Sequence, residues 1–260
     1  ALTEFGEQFL RHAQAIMAEI NAAEEFVSHT RQVTQHTVRF GAIPTIAPFL
    51  VPEIFEAVRR RNPETRLELF ENRTESLVEA LLSGQIDVAL LSPPTAIDAE
   101  CDHLLLGSDE FLLTLPQNHR LAKQKSLSVE QLRKERILLL ENSHCLTRQT
   151  AAYCEEVGLQ AEVTIRGSQI DTLLGLVEKG FGLTFTPALA ARSNPRRNVV
   201  FLSIAKQPCY REIRLVWLRR HFLPRSQQAV LDAVTGWSQE NGQSLTTSAT
   251  YGVQRGSRSR

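Results

Sequence analysis

The sequence predicts an α/β protein with two units of alternating strands and helices, preceded by one long helix. Near the N-terminus, apolar residues recur at spacings of three and four, as they do on one face of a helix. From Val38 onward, short apolar runs alternate with amphipathic segments, the pattern of a parallel sheet with crossover helices. A chain of 260 residues with 42% hydrophobic and 22% charged residues is typical of a globular protein of one or two domains.

The long helix is predicted over residues 4–33, where the apolar positions run from Phe9 to Phe26. About thirty helical residues span roughly 45 Å, more than a compact domain usually needs. Such a helix often pairs with a copy of itself, so a dimerising linker is the favoured role. A core helix of an α-helical domain is the alternative.

The two α/β units follow in order along the chain. The first is predicted to have strands at 37–43, 66–71 and 87–91 and helices at 46–60 and 74–83. The second is predicted to have strands at 137–140, 161–165, 183–186 and 199–204 and helices at 128–135, 147–157 and 168–179. A strand at 212–218, a closing helix at 225–239 and a disordered polar tail from Gln243 complete the prediction. Two such units imply a cleft between them, where ligands usually bind.

Charge and composition limit the classes of function. The formal net charge is zero, and DNA affinity rests on neutralising phosphates, so any DNA-binding part is expected to lie outside this chain. The sequence begins with Ala1 and not with Met, close to the start of the helical pattern, so we expect a fragment. No apolar run approaches the ~20 residues that cross a bilayer, and no signal peptide heads the sequence, so a cytoplasmic protein without a membrane partner is expected.

The cysteines are the residues with the most distinctive chemistry. Four in a chain of this length are too few for a disulfide-stapled scaffold, and in the cytosol a cysteine pair is more often sensory, catalytic or metal-binding. Cys145 follows Asn142 and Ser143, which are good helix N-cap residues, so it is predicted in or near the first helical turn. Unpaired backbone N–H groups there favour a thiolate, the nucleophilic form of the side chain. A buried structural thiol is the alternative.

The spacing of two of these thiols constrains their chemistry. Cys154 follows Cys145 by nine residues, which in a helix is a rise of roughly 13.5 Å and two and a half turns. A disulfide needs Cα atoms about 4.4–6.8 Å apart, so the intact helix cannot be bridged. Cys101, expected in a polar loop before a strand, and Cys209, between Pro208 and Tyr210, are expected to be bystanders.

Several segments resemble the LysR family of transcriptional regulators. They are LTEFGEQFL, VRFGAIPTIAPFLVPEIFEAVRRRNPETRLEL, GQIDVALL and GFGLTFTPALA, and together they cover most of the chain from Leu2 to Trp237. The resemblance implies two Rossmann-like subdomains of the periplasmic-binding-protein-like type 2 fold with an N-terminal linker helix. It places the linker at 1–35 after a missing winged helix-turn-helix domain, subdomain I at 36–110 and 218–242, subdomain II at 111–217 and the tail at 243–260. Two crossing strands are expected near 105–115 and 214–218.

A smaller set of motifs, GAIPT, RTESL and NSHCLTRQTAAYC, resembles the peroxide-responsive OxyR subfamily. The resemblance implies a peroxide-reactive Cys145, a resolving Cys154, and further site positions at Thr45, Thr74, His144 and Arg211. Ordinary explanations stand beside these roles: helix N-caps for the two threonines, an exposed imidazole for His144 and a solvated strand residue for Arg211. One departure is that a basic residue is expected two positions after the reactive cysteine, where this chain has Thr147 followed by Arg148.

The expected function is therefore a peroxide-sensing transcriptional regulator, not an enzyme, without a cofactor. Its expected partners are DNA through the missing domain, further copies in a homodimer or homotetramer, a thiol reductant such as glutaredoxin or thioredoxin, and RNA polymerase. Three rivals remain open: a LysR-type sensor of a small organic effector, a thiol peroxidase, and a metal site built on His144, Cys145 and Cys154. The cysteine spacing lacks the C-x₂₋₄-C clustering of structural zinc sites.

Overall fold

The structure is a computed structural model in which long stretches of the chain are described. They are 37–92, 100–140, 145–165, 169–193, 198–219 and 223–246, with residues 3, 5–6, 9, 13, 16–17 and 20 before them. Side chains at 140, 145, 161–165 and 242–246 fall outside this description. None of the helices in these stretches is long and apolar enough to span a membrane.

The residues described before position 37 agree with the predicted N-terminal helix as far as they reach. Those at 5–6, 9, 13, 16–17 and 20 are helical, and residues 21–36 lie outside the description. Five large apolar side chains here are exposed: Phe5, Phe9, Ile16, Met17 and Ile20. Phe5 and Phe9 stack on each other with ring centroids 6.3 Å apart. Four of the apolar residues that predicted this helix, Phe9, Ile16, Met17 and Ile20, are thus exposed in the described part of the chain.

The chain divides into two compact units. Unit 1 comprises Ala1–Gly107 and Glu212–Leu245, and unit 2 is built on Ser108–Arg211. Two long strands, β4 (Cys101–Pro116) and β10 (Cys209–Leu218), pass from one unit to the other. Cys101 is the buried first residue of β4, so its predicted position in a polar loop is wrong.

Unit 1 is a mixed sheet flanked by helices. Its elements are β1 (Thr37–Ala42), α1 (Ala47–Arg61), β2 (Arg66–Glu71), α2 (Thr74–Leu82), β3 (Val88–Leu91) and the end of β10. The order is β2-β1-β3-β10, with β1 parallel to β2 and β3 and with β10 antiparallel to β3. The predicted parallel sheet is therefore corrected to a mixed one, because the last strand returns from unit 2.

The C-terminal helix α7 (Arg225–Thr246) packs on unit 1. The Gln227 side chain donates to the carbonyl of Asp87 at 2.9 Å, and the Asn62 side chain donates to the carbonyl of Ala229 at 3.2 Å. The helix extends past its predicted end at 239, so the disordered tail predicted from Gln243 is wrong as far as Thr246.

Unit 2 surrounds a second core. Its elements are β5 (Ser126–Leu127), α3 (Val129–Leu132), β6 (Ile137–Leu140), α4 (Cys145–Val157), β7 (Ala161–Ile165), α5 (Ile170–Glu178), β8 (Thr184–Pro187), α6 (Ala188–Arg192) and β9 (Val199–Ile204). Strand β4 is antiparallel to β8 and β9, whereas β6 pairs parallel with β7. The predicted elements are confirmed within a few residues at each end, and β5 and α6 are additions. The predicted α/β class is confirmed.

The glycines of the GFGLTF motif connect α5 to β8. Gly180 has φ of 80°, in the left-handed region that favours glycine after a helix. At Gly182, an added Cβ would lie 2.8 Å from the backbone oxygen of Arg136. A side chain at position 182 would therefore push the start of β8 away from Arg136, the residue before β6.

Candidate functional site

Helix α4 carries the two cysteines singled out by the sequence. It runs without a break from Cys145 to Val157, starting two residues earlier than predicted. Its buried face is formed by Leu146, Thr147, Thr150, Tyr153 and Cys154. The nine-residue separation of the two cysteines along a continuous helix is therefore observed, with its rise of roughly 13.5 Å.

Cys154 lies deep in the core of unit 2. Only 1% of the residue is exposed, and it belongs to the hydrophobic cluster that includes Phe111, Leu139 and Phe185. Burial raises the pKa of the Cys154 thiol to about 11, because the thiolate loses its hydration in an apolar surrounding. In this conformation Cys154 is thus a neutral thiol and a poor nucleophile.

Cys209 belongs to the same cluster as Cys154. It is the first residue of β10 and is 8% exposed. The pKa of the Cys209 thiol is raised to about 12, mainly by burial and to a smaller extent by negative charge on Cys154, Glu156 and Glu110. Cys209 and Cys154 are thus two buried thiols of the same hydrophobic cluster, and burial disfavours the thiolate of each.

Tyr153 connects helix α4 to the segment that leads into β10. Its hydroxyl donates a hydrogen bond to the carbonyl oxygen of Gln207 at 2.8 Å. Its ring meets Phe185 edge-on, with centroids 5.5 Å apart. Burial raises the Tyr153 pKa to about 12, with smaller contributions from negative charge on Cys209 and Cys154. The hydroxyl therefore stays protonated as a hydrogen-bond donor.

Arg211 is held in a buried ion pair. Its Nε and Nη2 donate to Oδ2 of Asp109 at 3.0 and 2.8 Å, and the guanidinium carbon lies 5.6 Å from the centroid of the Phe111 ring. The other oxygen of Asp109 accepts from the backbone N–H of Leu189 in α6 at 3.1 Å. The alternative of a solvated strand residue is thus wrong for Arg211, which is almost fully buried.

Thr45 and Thr74 lie in unit 1, at the ends of neighbouring parallel strands. Thr45 is buried in the turn after β1, and Thr74 is the first residue of α2, after β2. The N-cap positions of α1 and α2 are occupied by Ile46 and Arg73, so the N-cap explanation is wrong for both threonines. The Thr74 hydroxyl is buried and makes no hydrogen bond with any described residue.

Thr147 is a feature that the sequence presented only as a departure from a motif. Its buried hydroxyl finds no hydrogen-bond partner within the described stretches. Thr150, one turn further on, is also buried, but its hydroxyl donates to the carbonyl of Leu146 at 2.9 Å. Thr147 and Cys154 are seven residues apart, about two helical turns, and both lie on the buried face of α4. That spacing is the sequence signal from which the burial of Thr147 could have been predicted. Arg148 is exposed.

Several predicted site positions lie outside the described residues. These are Asn142, Ser143 and His144, together with the side chain of Cys145. Among the residues that are described, Cys154 and Arg211 both lie in the core of unit 2, and Thr45 and Thr74 both lie in unit 1. Asp109 and Cys209 were missed as site neighbours, because no local pattern links them to α4.

Family models identify the class of protein to which this fold and these segments belong. Residues 31–239 match the LysR substrate binding domain. The match covers well over half of the chain, so the chain belongs to the LysR substrate-binding-domain family, and the family resemblance of its segments is confirmed.

The relatives within this family carry a more specific name. The chain is 29% identical over 216 residues to the hydrogen peroxide-inducible genes activator of Pectobacterium carotovorum subsp. carotovorum, covering 83% of this chain and 71% of the relative. It is also 29% identical to the DNA-binding transcriptional dual regulator OxyR of Escherichia coli (strain K12), covering 83% and 70%. The reduced regulatory domain of OxyR2 from Vibrio vulnificus has a similar structure, with a TM-score of 0.68, 29% identity and coverage of 78% and 95%.

Proposed function

We propose that this chain is the sensing part of a LysR-type transcriptional regulator that responds to hydrogen peroxide, with Cys145 as the reactive thiol and Cys154 as the resolving one. The names of its relatives support the peroxide signal. The observation that carries the thiol assignment is that the three cysteines with described side chains, Cys101, Cys154 and Cys209, are all buried. Cys145 begins a helix, where unpaired N–H groups stabilise a thiolate.

The first step is attack of the Cys145 thiolate on one peroxide oxygen. The O–O bond breaks, the sulfur becomes a sulfenic acid, and the departing hydroxide takes a proton to form water. In the second step the Cys154 thiolate attacks the sulfenic sulfur, an S–S bond forms, and the hydroxyl leaves as water. The peroxide is reduced by two electrons, and the two thiols are oxidised to one disulfide.

The second step requires a change in α4, which is what makes the reaction a signal. A continuous helix holds the two Cα atoms roughly 13.5 Å apart, about twice the span of a disulfide. The same helix keeps Cys154 buried, with its pKa raised to about 11. Unwinding of α4 removes both obstacles, because it brings the chain segments together and exposes Cys154 to water. The segment is then an element with two states whose balance depends on oxidation.

The remaining site residues have supporting roles in this proposal. The hydroxyls of Thr45 and Thr74, at strand ends of unit 1, are proposed as ligand-binding groups, and the Thr74 hydroxyl has no hydrogen-bond partner among the described residues. His144 supplies a hydrogen bond or a positive charge to the thiolate. Arg211 has its Nε and Nη2 committed to Asp109, so its role is to fix the start of β10 as well as to add positive charge.

The partners follow from the family and from the N-terminal residues. The exposed apolar side chains from Phe5 to Ile20 are suited to pairing with a second copy, which supports a homodimer that assembles further into a homotetramer. DNA is bound by a winged domain preceding this segment, and RNA polymerase is the downstream partner. A thiol reductant such as glutaredoxin or thioredoxin reverses the disulfide.

A peroxide titration of the wild-type chain and of Cys145→Ser tests the assignment, with the linkages identified by peptide mass spectrometry. The wild-type chain is expected to form a Cys145–Cys154 disulfide, and Cys145→Ser is expected to form no peroxide-dependent linkage. Cys101→Ser is the matched control and should behave as wild type. Oxidation confined to Cys101 or Cys209 in the wild-type chain would refute the proposal.

A further inference from the structure

Two buried cysteines of unit 2 form a pair that the proposed reaction does not use. Cys154 on α4 and Cys209 at the start of β10 belong to one hydrophobic cluster. The residue before Cys154 is Tyr153, whose hydroxyl reaches the carbonyl of Gln207 at 2.8 Å, two residues before Cys209. This hydrogen bond holds α4 against the segment that leads to Cys209, and both thiols are buried in the cluster that α4 and β10 share.

The electrostatics of the same residues agree with this placement. Negative charge on Cys154 raises the pKa of Cys209, and negative charge on either cysteine raises the pKa of Tyr153. Tyr153, Cys154 and Cys209 are all buried members of one hydrophobic cluster, which is the geometric basis for treating the two thiols as a pair.

We propose that Cys154 and Cys209 are a second disulfide-forming pair, to which the Cys145–Cys154 disulfide is passed by thiol–disulfide exchange. The proposal rests on the function proposed above for its oxidising equivalents. The Cys209 thiolate attacks the sulfur of Cys154, the S–S bond to Cys145 breaks, and a new S–S bond joins Cys154 to Cys209. The electron pair of the broken bond leaves with the Cys145 sulfur, which takes up the proton that Cys209 released. No net oxidation or reduction occurs in this step.

The folding of α4 supplies the driving force for the exchange. A Cys145–Cys154 disulfide is incompatible with the continuous helix, whereas a Cys154–Cys209 disulfide would join the helix to a strand that contributes to the same hydrophobic cluster. Exchange therefore lets α4 reform and returns Cys145 to its thiol. The oxidised signal then ends without an external reductant, and Cys145 is ready for a second peroxide.

The supply of thiolate sets the rate of this exchange. The attacking group is the Cys209 thiolate, and a thiol is mostly protonated at neutral pH, because its ordinary pKa is about 8.5. As long as the pH stays below the pKa, the thiolate population rises about tenfold for each unit by which the pH increases. The Cys145–Cys154 form thus persists for a time before it is converted, and alkaline pH shortens that time.

The pairing is tested first without peroxide. Cys145→Ser chain is treated with diamide, an oxidant of dithiols, and digested with trypsin, which cleaves at Arg148 and Lys206 and so places the cysteines in separate peptides. A Cys154–Cys209 linkage is expected, and Cys101 should stay unlinked. The variant Cys145→Ser/Cys209→Ser is the matched control and should leave Cys154 unlinked. Circular dichroism verifies the fold, and Cys145→Ala serves if the serine variant is unfolded. Absence of the linkage in the folded chain overturns the proposal.

The exchange is tested by a time course after one equivalent of hydrogen peroxide, without reductant. In the wild-type chain the Cys145–Cys154 linkage is expected to appear first and to decay as Cys154–Cys209 rises, about tenfold faster for each pH unit. In Cys209→Ser the first linkage should persist. If it persists equally in the wild-type chain, the exchange is overturned and the proposed function stands. If no linkage to Cys145 appears while diamide still joins Cys154 to Cys209, the proposed function fails, the exchange fails with it, and the pairing stands.

Discussion

Arg211 and Asp109 form an ion pair in the core of unit 2, far apart in sequence and joined by two hydrogen bonds to one carboxylate oxygen. Through Asp109 the pair also reaches the backbone of α6. It therefore fixes the strand in which Arg211 follows Cys209 by two residues. The start of β10, which carries one of the thiols, is thus held by charges as well as by apolar packing.

Replacement of Arg211 by alanine is expected to lower the free energy of unfolding by about 3–5 kcal/mol, because the carboxylate of Asp109 would be left buried without its partner. Urea unfolding followed by circular dichroism measures this loss. Arg133→Ala, at an exposed position of the same unit, is the control and should change stability by less than about 0.5 kcal/mol. Equal losses in the two variants would show that the ion pair has no special role.

Replacement of Tyr153 by phenylalanine removes the hydrogen bond to Gln207 and keeps the ring that packs on Phe185. The expected loss of stability is about 0.5–1.5 kcal/mol. Because α4 is then held less firmly, peroxide-driven formation of the Cys145–Cys154 disulfide should become faster. Quenched time courses with mass spectrometry measure the rate, and an unchanged rate would argue that this contact does not restrain the helix.

Replacement of Thr147 by valine removes a buried hydroxyl that is unpaired within the described part of the chain. Burying such a group costs about 1–3 kcal/mol, a cost that unwinding of α4 relieves. Thr147→Val is therefore expected to stabilise the reduced fold and to make the Cys145–Cys154 disulfide easier to reduce. Titration against glutathione redox buffers measures the change.

Thr150→Val is the matched control for that experiment, since the Thr150 hydroxyl is satisfied by the carbonyl of Leu146. It should not stabilise the chain. A gain of stability in both variants would point to general hydrophobicity, and a loss at Thr147 would contradict the account.

Stability at alkaline pH follows from three raised pKa values in one region. The pKa values of Cys154, Cys209 and Tyr153 are raised to about 11, 12 and 12, so the folded chain holds these protons more tightly than the unfolded chain. The stabilisation is complete below pH ~8.5, where the unfolded thiols begin to titrate, and is lost as pH rises toward 12. Urea midpoints measured from pH 8 to 11 should therefore fall. Cys154→Ser/Cys209→Ser should flatten the fall, and an equally steep decline would contradict the assignment of these groups.

The sequence predicted the secondary structure well where apolar periodicity is strong. Strands such as β2 and β9 are found at their predicted bounds, because β2 alternates Leu with charged residues and β9 is a run of β-branched and other apolar residues. The start of β4 was missed because Asp102 and His103 interrupt its apolar pattern, although Asp102 is paired with Arg219 at 2.8 Å. The short helix α6 was missed because its five residues, mostly alanine, are too few to show the apolar periodicity of a helix.

The candidate site was predictable only where its residues share one element. Cys145 and Cys154 lie on one helix, so their spacing alone showed the conflict between helix and disulfide. Asp109 comes from another strand, and its contact with Arg211 depends on how the sheet of unit 2 is assembled. Local sequence carries no signal for such a contact. The bystander role expected for Cys209 stays a prediction, which the pairing proposed above would replace.

Hydrogen–deuterium exchange of the peptides that cover α4, measured before and after peroxide, tests the central claim most directly. Backbone amides of a helix exchange slowly, and they exchange faster once their hydrogen bonds open. We predict that peptides from 145–157 lose protection as the Cys145–Cys154 disulfide forms, whereas Cys145→Ser keeps its protection under the same treatment. Formation of the disulfide with protection across α4 unchanged would contradict the claim that the helix must unwind.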